Sequence, residues 1–358
     1  MIHRIRVATL AAAGLAAAAG FAAALLLVGS AEAAAQDHTA TTDVLTIEEW
    51  TVPYPDSRPR DPFVGPDGRV WFVGQAAHYA AVLDPATGEF RRYDMDDGTG
   101  PHNLIVDDDG MVYYAGNRAN HIGIIDPATG EIDKIMMPDE RARDPHTLIW
   151  DDNGDIWFSV QGGNLIGFLD KESREVRLVE APEVETRRGM GSSRPYGVKL
   201  DSENRPWIAH FNTNLIGMVE PSSFELIGYD LPEGARARRL VIDSKDRIWY
   251  VDYSRGKIGL VVEGGGFQRE YDLPAAEESR PYGVAIDKYD VVWLVETGIQ
   301  PNRFVGFDTG TEEFVGTLDV PSGGGTIRHM YYDPDTDSIW FGADVNTVGR
   351  AVVSPRSR

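Results

Sequence analysis

The 358-residue chain contains no cysteine. That one absence excludes disulfides, thiol nucleophiles, iron–sulfur clusters and cysteine-ligated zinc together. Basic residues are also in deficit. Against 56 Asp and Glu there are 34 Lys and Arg, a formal net charge of −22. Nucleic-acid binding is driven largely by Lys and Arg neutralising phosphates, so nucleic acid is not an expected partner. Beyond the amino end no apolar run approaches the roughly 18 residues of a membrane-spanning helix, and helical periodicity is missing. What is present is an ordinary globular balance, 42% hydrophobic and 25% charged, in a chain long enough to bury a sizeable core.

The amino end is the exception. His3, Arg4 and Arg6 precede an apolar run from Val7 to about Val28, and small residues follow from Ser30 to Ala35. This is the pattern of a secretory signal peptide, predicted over residues 1–35, with 36–43 as a linker. Left uncleaved, the run is long enough to anchor in a bilayer. In both cases the folded part is expected to be exported, periplasmic or secreted. It is expected to be a monomer, and free of the membrane unless the leader stays attached. An exported domain without cysteines must be held by its core and its closure rather than by cross-links.

A repeat governs the remainder. PHNLIVDDDGMVYYAGNRANHIGIIDPATGEI starts at Pro101, PHTLIWDDNGDIWFSVQGGNLIGFLDKESREV at Pro145 and PYGVKLDSENRPWIAHFNTNLIGMVEPSSFEL at Pro195. Weaker copies start near Pro62, Ala237, Pro281 and Ile327. One aromatic marks each copy: Trp71, Tyr113, Trp157, Trp207, Trp249, Trp293 and Trp340, at gaps of 42, 44, 50, 42, 44 and 47. Each unit reads as four short strands separated by turn residues, so residues 44–355 are predicted to be a single all-β domain, a seven-bladed β-propeller. The seventh unit lacks an outer strand, which the segment Val44–Val52 is expected to supply, because an open ring would leave bare sheet edges. The marker aromatics read as packing core. The Asp of each DPATG turn, and Asp runs such as Asp107–Asp109, read as turn-formers rather than calcium ligands.

The same repeat locates a candidate site. In antiparallel strands the start of the first and the end of the second lie on one rim. The first-strand starts are Phe63, His102, His146, Tyr196, Arg238, Tyr282 and Arg328. The second strands close on Gly74/Gln75, Gly116/Asn117, Val160/Gln161, His210/Phe211, Asp252/Tyr253, Glu296/Thr297 and Ala343/Asp344. Both rings are expected at one mouth of the central channel, as a ligand site or as passively solvated polar residues. Two links on this rim are long or Gly-rich, VETRRGMGSSR (184–194) and PSGGGT (321–326). They read as anion-presenting or covering loops, or as ordinary loop variation.

The patterns PHxLxxD, WFxxxxxNxIGxxD and a closing xxxYxLP resemble the streptogramin (virginiamycin B) lyase family over roughly residues 60–350. The resemblance implies a seven-bladed propeller and a carbon–oxygen lyase that opens a cyclic depsipeptide at an ester by elimination, with Mg²⁺. It also implies a catalytic set on the last two blades: a His opening blade six, an E-P-H triplet opening blade seven, and a Glu closing the second strand of blade seven. Those positions hold Tyr282, then Thr326, Ile327 and Arg328, then Asp344. One carboxylate is kept, one carbon shorter, and both histidines are replaced. His329 adjoins the triplet one residue out of register, which turns a strand side chain to the other face unless a bulge re-aims it. Tyr282 is expected to act as base if the Arg238 and Arg328 charges lower its pKa.

The expected catalytic residues are therefore Tyr282, Arg328, His329 and Asp344. A divalent cation is expected near Asp252, Glu296 and Asp344. A small ester- or lactone-like substrate would be held by His102, His146, Tyr196, His210, Arg238, Gln75, Asn117 and Gln161. The alternatives are a non-catalytic propeller that binds a small anionic molecule or a protein, and a metal-dependent lactonase.

Overall fold

A computed structural model describes residues 36–186 and 189–354. The leader predicted over 1–35 lies outside the described residues. The described chain folds into seven antiparallel sheets arranged as blades, six of four strands and one of five, with a separate two-stranded hairpin. A single 3₁₀ turn, Ala276–Glu278, is the only helical element among the described residues.

Blade three shows why the repeat folds as it does. Its strands are Pro145–Trp150, Ile156–Val160, Leu165–Leu169 and Val176–Glu180, paired in that order. Every residue of Ile156–Val160 is buried, because neighbouring blades pack on both faces of the sheet. The outer strand is partly exposed and carries the charge. The seven marker aromatics are all core, at most 6% exposed. Three of them also tie the turns. The indole N–H groups of Trp207, Trp249 and Trp293 donate to Asp201, Asp243 and Asp287 at 2.8–2.9 Å. The other oxygen of each Asp accepts backbone N–H groups of the following turn. Asp107 and Asp151 cap their turns in the same way. These aspartates are turn-formers, as their positions suggest. The glycine of the recurring IG pair is fixed by packing: a Cβ at Gly167 would lie 2.1 Å from the Phe158 ring.

Blade seven closes the ring. Its strands Ile327–Asp333, Ser338–Ala343 and Thr347–Val353 are completed by Leu45–Thr51 from the amino end. That strand pairs antiparallel with Thr347–Val353, from Leu45↔Val353 to Thr51↔Thr347. Residues read as a linker add a fifth strand, Gln36–Thr41, outside it. The otherwise bare edge of Leu45–Thr51 provides the N–H and C=O groups for that pairing.

Glu49 anchors the closure. It is fully buried, and its carboxylate accepts from Ser322 Oγ at 2.6 Å, Ser322 N at 2.9 Å and Thr347 Oγ1 at 2.8 Å. The Gly-rich link 321–326 is thus committed to the clasp. Gly323 N donates to Val320 O, Gly324 N to Ser322 Oγ and Gly325 N to Gly323 O, so these groups are not free for an external anion. Replacing Glu49 by Ala strands three donors, that of Thr347 buried and the two of Ser322 partly so. It should cost about 2–3 kcal/mol and lower the calorimetric melting midpoint by several degrees. An unchanged midpoint would remove Glu49 from the closure.

Candidate functional site at the channel mouth

The first strand of each blade is innermost and packs against the first strands of its neighbours, so their opening residues meet around the channel. In five blades the pairing register slips at this point, between Arg60 and Phe63, Pro145 and Leu148, Pro195 and Val198, Ala237 and Arg239, and Ile327 and Met330. Each slip is a bulge in which two residues oppose one. It lets consecutive side chains turn toward the axis: Arg60 and Asp61, His146 and Thr147, Arg238 and Arg239, Arg328 and His329. His329 is therefore brought in despite its offset, and lies half-buried among the charges of Arg239, Lys199 and Arg60.

Blade one departs from the expectation. Its first strand is Pro59–Val64, so Arg60, and not Phe63, takes the axial position. Phe63 sits three residues further along, against Tyr331 with ring centroids 4.4 Å apart. Sequence held the signal. Pro101, Pro145, Pro195 and Pro281 each stand twelve residues before their marker aromatic, and so does Pro59, whereas Pro62 stands nine before.

Around the axis the contacts run from blade to blade. Arg60 donates to Gln75 Oε1 at 2.9 Å and to His102 Nε2 at 2.6 Å. An arginine only donates, so His102 Nε2 accepts and Nδ1 carries the proton, 3.7 Å from Asp61 Oδ2. The His102 and His146 rings lie 3.5 Å apart, and His146 and Tyr196 4.3 Å. The Tyr196 and Tyr282 hydroxyls are in direct contact. The Arg238 guanidinium covers the Tyr282 ring at 3.7 Å. Arg239 Nε donates to the Arg328 carbonyl at 2.6 Å, and Arg328 is ion-paired with Asp344. Arg60, His102, His146, Tyr196, Arg238, Tyr282 and Arg328 therefore form one continuous cluster drawn from seven blades.

Its electrostatics follow from burial among cations. Desolvation, reinforced by the arginines, holds His102, His146 and His329 well below the usual imidazole range, so all three are neutral at pH 7. Burial and then Arg239 push Lys199, further down the channel, to about 8. In the phenol pair, burial works to raise Tyr196, but Arg238, Arg239 and Arg60 outweigh it and the net shift is downward. Tyr282 moves the other way, raised by burial and then by the Tyr196 charge. The expected lowering of Tyr282 is thus reversed. The pair holds a proton on Tyr282, and Tyr196 is the more acidic phenol.

The second-strand ends separate into two sets, because successive strand residues face opposite ways. The last residue of each pair reaches the mouth: Gln75 bonds Arg60, Gln161 accepts from Arg194 at 2.7 Å, Asp344 meets Arg328, and Phe211 and Tyr253 flank Arg238. The preceding residue points into the blades. His210 is fully buried, pushed down to about 3 by burial, and bonded to Ser193 Oγ at 2.9 Å. It belongs to the scaffold. Asp252 caps the N–H groups of Arg236, Ser254 and Arg255 and pairs with the Arg255 side chain at 2.6 Å. Glu296 accepts from Ala275 N at 2.7 Å and faces Arg303 at 3.8 Å.

The three carboxylates expected to hold a divalent cation therefore do not converge. Asp252 and Asp344 are each neutralised by an arginine, and Glu296 is committed to a backbone N–H. No group of three or more His, Asp or Glu among the described residues has metal-binding geometry. The donor set does not fit Mg²⁺, and no chemical step is assigned to one.

Two features of the rim escaped the sequence reading. Arg58, Asp144, Arg194 and Arg280 each precede an opening proline with φ of 51°, 67°, 58° and 42°. At about 1 kcal/mol or more apiece, these strained residues place three arginines around the mouth. In blade two the position is Gly100, where a Cβ would lie 2.6 Å from Arg118 Cδ. There the arginine comes from the neighbouring loop. The second feature is Asp144, bonded to Asn117. Burial raises its carboxyl to about 7, against the opposing effects of Asn117 and Arg194. Asn117 is thus a partner of Asp144 at the rim. Nothing local in the sequence signals a titrating carboxyl there. The 184–194 link forms the hairpin Glu183–Thr186 with Gly189–Ser192.

Comparison with known proteins gives a consistent answer. The model of the Virginiamycin B lyase family matches residues 7–186. The crystal structure of selenomethionine-substituted virginiamycin B lyase from Staphylococcus aureus is similar, with a TM-score of 0.75 at 22% identity, over 86% of this chain and 99% of that one. A streptogramin B lyase structure gives 0.75 at 24% identity, over 87% and 100%. A catalytically inactive S. aureus variant with quinupristin gives 0.74 at 22%, over 86% and 99%. Among curated protein sequences there is no match.

Asp144 generates a pH prediction. Its folded-state pKa lies above the ordinary carboxyl value of 3.8, so the stability it contributes is present at low pH and is lost as pH rises from about 4 through 7. Asp144→Asn has no such loss. Its melting midpoint relative to wild type should climb across that window and level off above it. Parallel midpoint–pH curves would contradict the assignment.

Proposed function

The chain belongs to the virginiamycin B lyase family, and from that premise we propose that it is a carbon–oxygen lyase that opens a small ester- or lactone-type substrate at the channel mouth, with Tyr196 as the base. The observation that carries this reading is the Tyr196–Tyr282 hydroxyl contact beneath Arg238, with Tyr196 the phenol made acidic by three guanidiniums. Family members of this type use a histidine where this chain has Tyr282, and elimination needs a base at the C–H next to the breaking bond.

The balanced step is simple. The Tyr196 phenolate takes the proton, the C–H electrons form a carbon–carbon double bond, and the C–O bond breaks with its electrons leaving on the acyl carboxylate. A carboxylate is a stable leaving group that needs positive charge nearby more than it needs a proton. Arg328, at the position of the family's second histidine, supplies that charge. Asp344 fixes Arg328 in place. Tyr282 donates a hydrogen bond that stabilises the Tyr196 phenolate, and the neutral histidines His102 and His146 form the wall behind Tyr196. The leader pattern supports export to the periplasm or medium.

A second reading, a non-catalytic binder of small anions, is favoured by one observation. Tyr196 and Tyr282 are only 4% and 3% exposed, so a substrate must displace side chains to reach them. A model cyclic depsipeptide separates the readings. Elimination yields a linear product of unchanged mass, hydrolysis adds one water, and a binder yields neither. Tyr196→Phe should lower turnover by about 10²–10⁴-fold. Tyr282→Phe should shift the pH–rate profile upward while retaining activity. Full turnover by Tyr196→Phe would overturn the assignment of the base.

A further inference from the structure

Charge and partner do not balance at the mouth. Arg328 has Asp344, while Arg60 and Arg239 share Asp61, each at 3.6 Å. Arg238 makes no ion pair among the described residues. It is held instead by aromatic rings, with the guanidinium carbon 3.7 Å from the Tyr282 centroid, 4.4 Å from Phe211, 4.6 Å from Tyr253 and 5.2 Å from Tyr196. Its Nε is buried and has no hydrogen-bond partner. Rings stacked on a guanidinium satisfy its faces and leave its N–H groups, which lie in the plane, unused. Arg238 as a whole is partly exposed, so a ligand can reach it, and a buried donor left unpaired is costly unless something completes it. The planar two-oxygen group that matches such a fork is a carboxylate.

We propose that Arg238 is the specificity-determining residue of the mouth, and that the substrate is a small organic acid whose free carboxylate pairs with this guanidinium while its apolar body lies against Phe211 and Tyr253. This rests on the mouth being the substrate site and names the class of substrate. One further observation agrees with it. Arg58, Arg194, Arg236 and Arg280 precede the openings of blades one, four, five and six and carry no ion pair among the described residues. They concentrate positive potential on one face of a chain whose net charge is −22, which draws an anion to the mouth.

The test uses phenylacetate and its methyl ester as probes, titrated calorimetrically into the purified chain and into Arg238→Gln and Arg238→Lys. Wild type should bind the acid tighter than the ester by about tenfold or more. Arg238→Gln should lose the preference, and Arg238→Lys should keep part of it. Melting midpoints of both variants report whether the fold is intact, and the acid–ester preference of wild type stands independently of either. Equal affinity for acid and ester, no binding of either, or a preference that survives in folded Arg238→Gln would overturn the inference. The lyase reading fails separately. Acid-selective binding without turnover of any depsipeptide sinks the lyase and spares this inference. Equal turnover of depsipeptides with and without a free carboxylate does the reverse.

Discussion

Ring closure is the constraint on which everything else depends. Seven sheets that must each bury both faces against a neighbour can do so only by surrounding an axis, and the first strand of each then begins at that axis. The clasp of Leu45–Thr51 on Thr347–Val353, pinned by buried Glu49, holds the ring shut. It is this closure that brings Arg60 against His102 and Tyr196 against Tyr282, residues 42 and 86 positions apart in the chain.

Convergence sets the chemistry. Four axial arginines face two carboxylates, and of these Arg60, Arg239 and Asp61 are almost wholly buried. Charges there act more strongly than at the surface, so the histidines are neutral and one phenol becomes acidic. In related lyases an imidazole and a metal ion are implied for these roles. Under the proposed lyase reading, guanidiniums supply the positive charge implied for a metal in those relatives, and a phenol pair stands where they have an imidazole. The substitutions are mutually consistent. Tyrosine is useful as a base only beside cations, and the cations are present because Arg60, Arg238, Arg239 and Arg328 occupy the axial positions. Asp252 and Glu296 are set to other tasks, a turn cap and a backbone N–H.

Much of this was legible in sequence, and the limits are physical. Blade number, strand order and the amino-terminal closing strand follow from the spacing of Trp71 through Trp340, since packing demands one large aromatic per blade. The axial ring was legible except at Arg60, where Pro62 masked the twelve-residue spacing of Pro59. The bulges that admit Asp61 and His329 were not legible, because an inserted residue leaves no compositional trace. His210 and Asp252 looked like site residues for their chemistry, yet strand alternation turns them inward and presents Phe211 and Tyr253 instead. Which of Tyr196 and Tyr282 ionises depends on a difference between burial and three nearby charges, a balance that exists only once the blades have met.

The account therefore stands on the Tyr196 phenolate within its arginine cage, and an ultraviolet titration of tyrosinate reads it directly. The chain has 14 tyrosines. One should ionise before the ordinary phenol value of about 10, and that early step should vanish in Tyr196→Phe. If every tyrosine ionises at or above the ordinary value, or if the early step survives in Tyr196→Phe, the central claim is wrong.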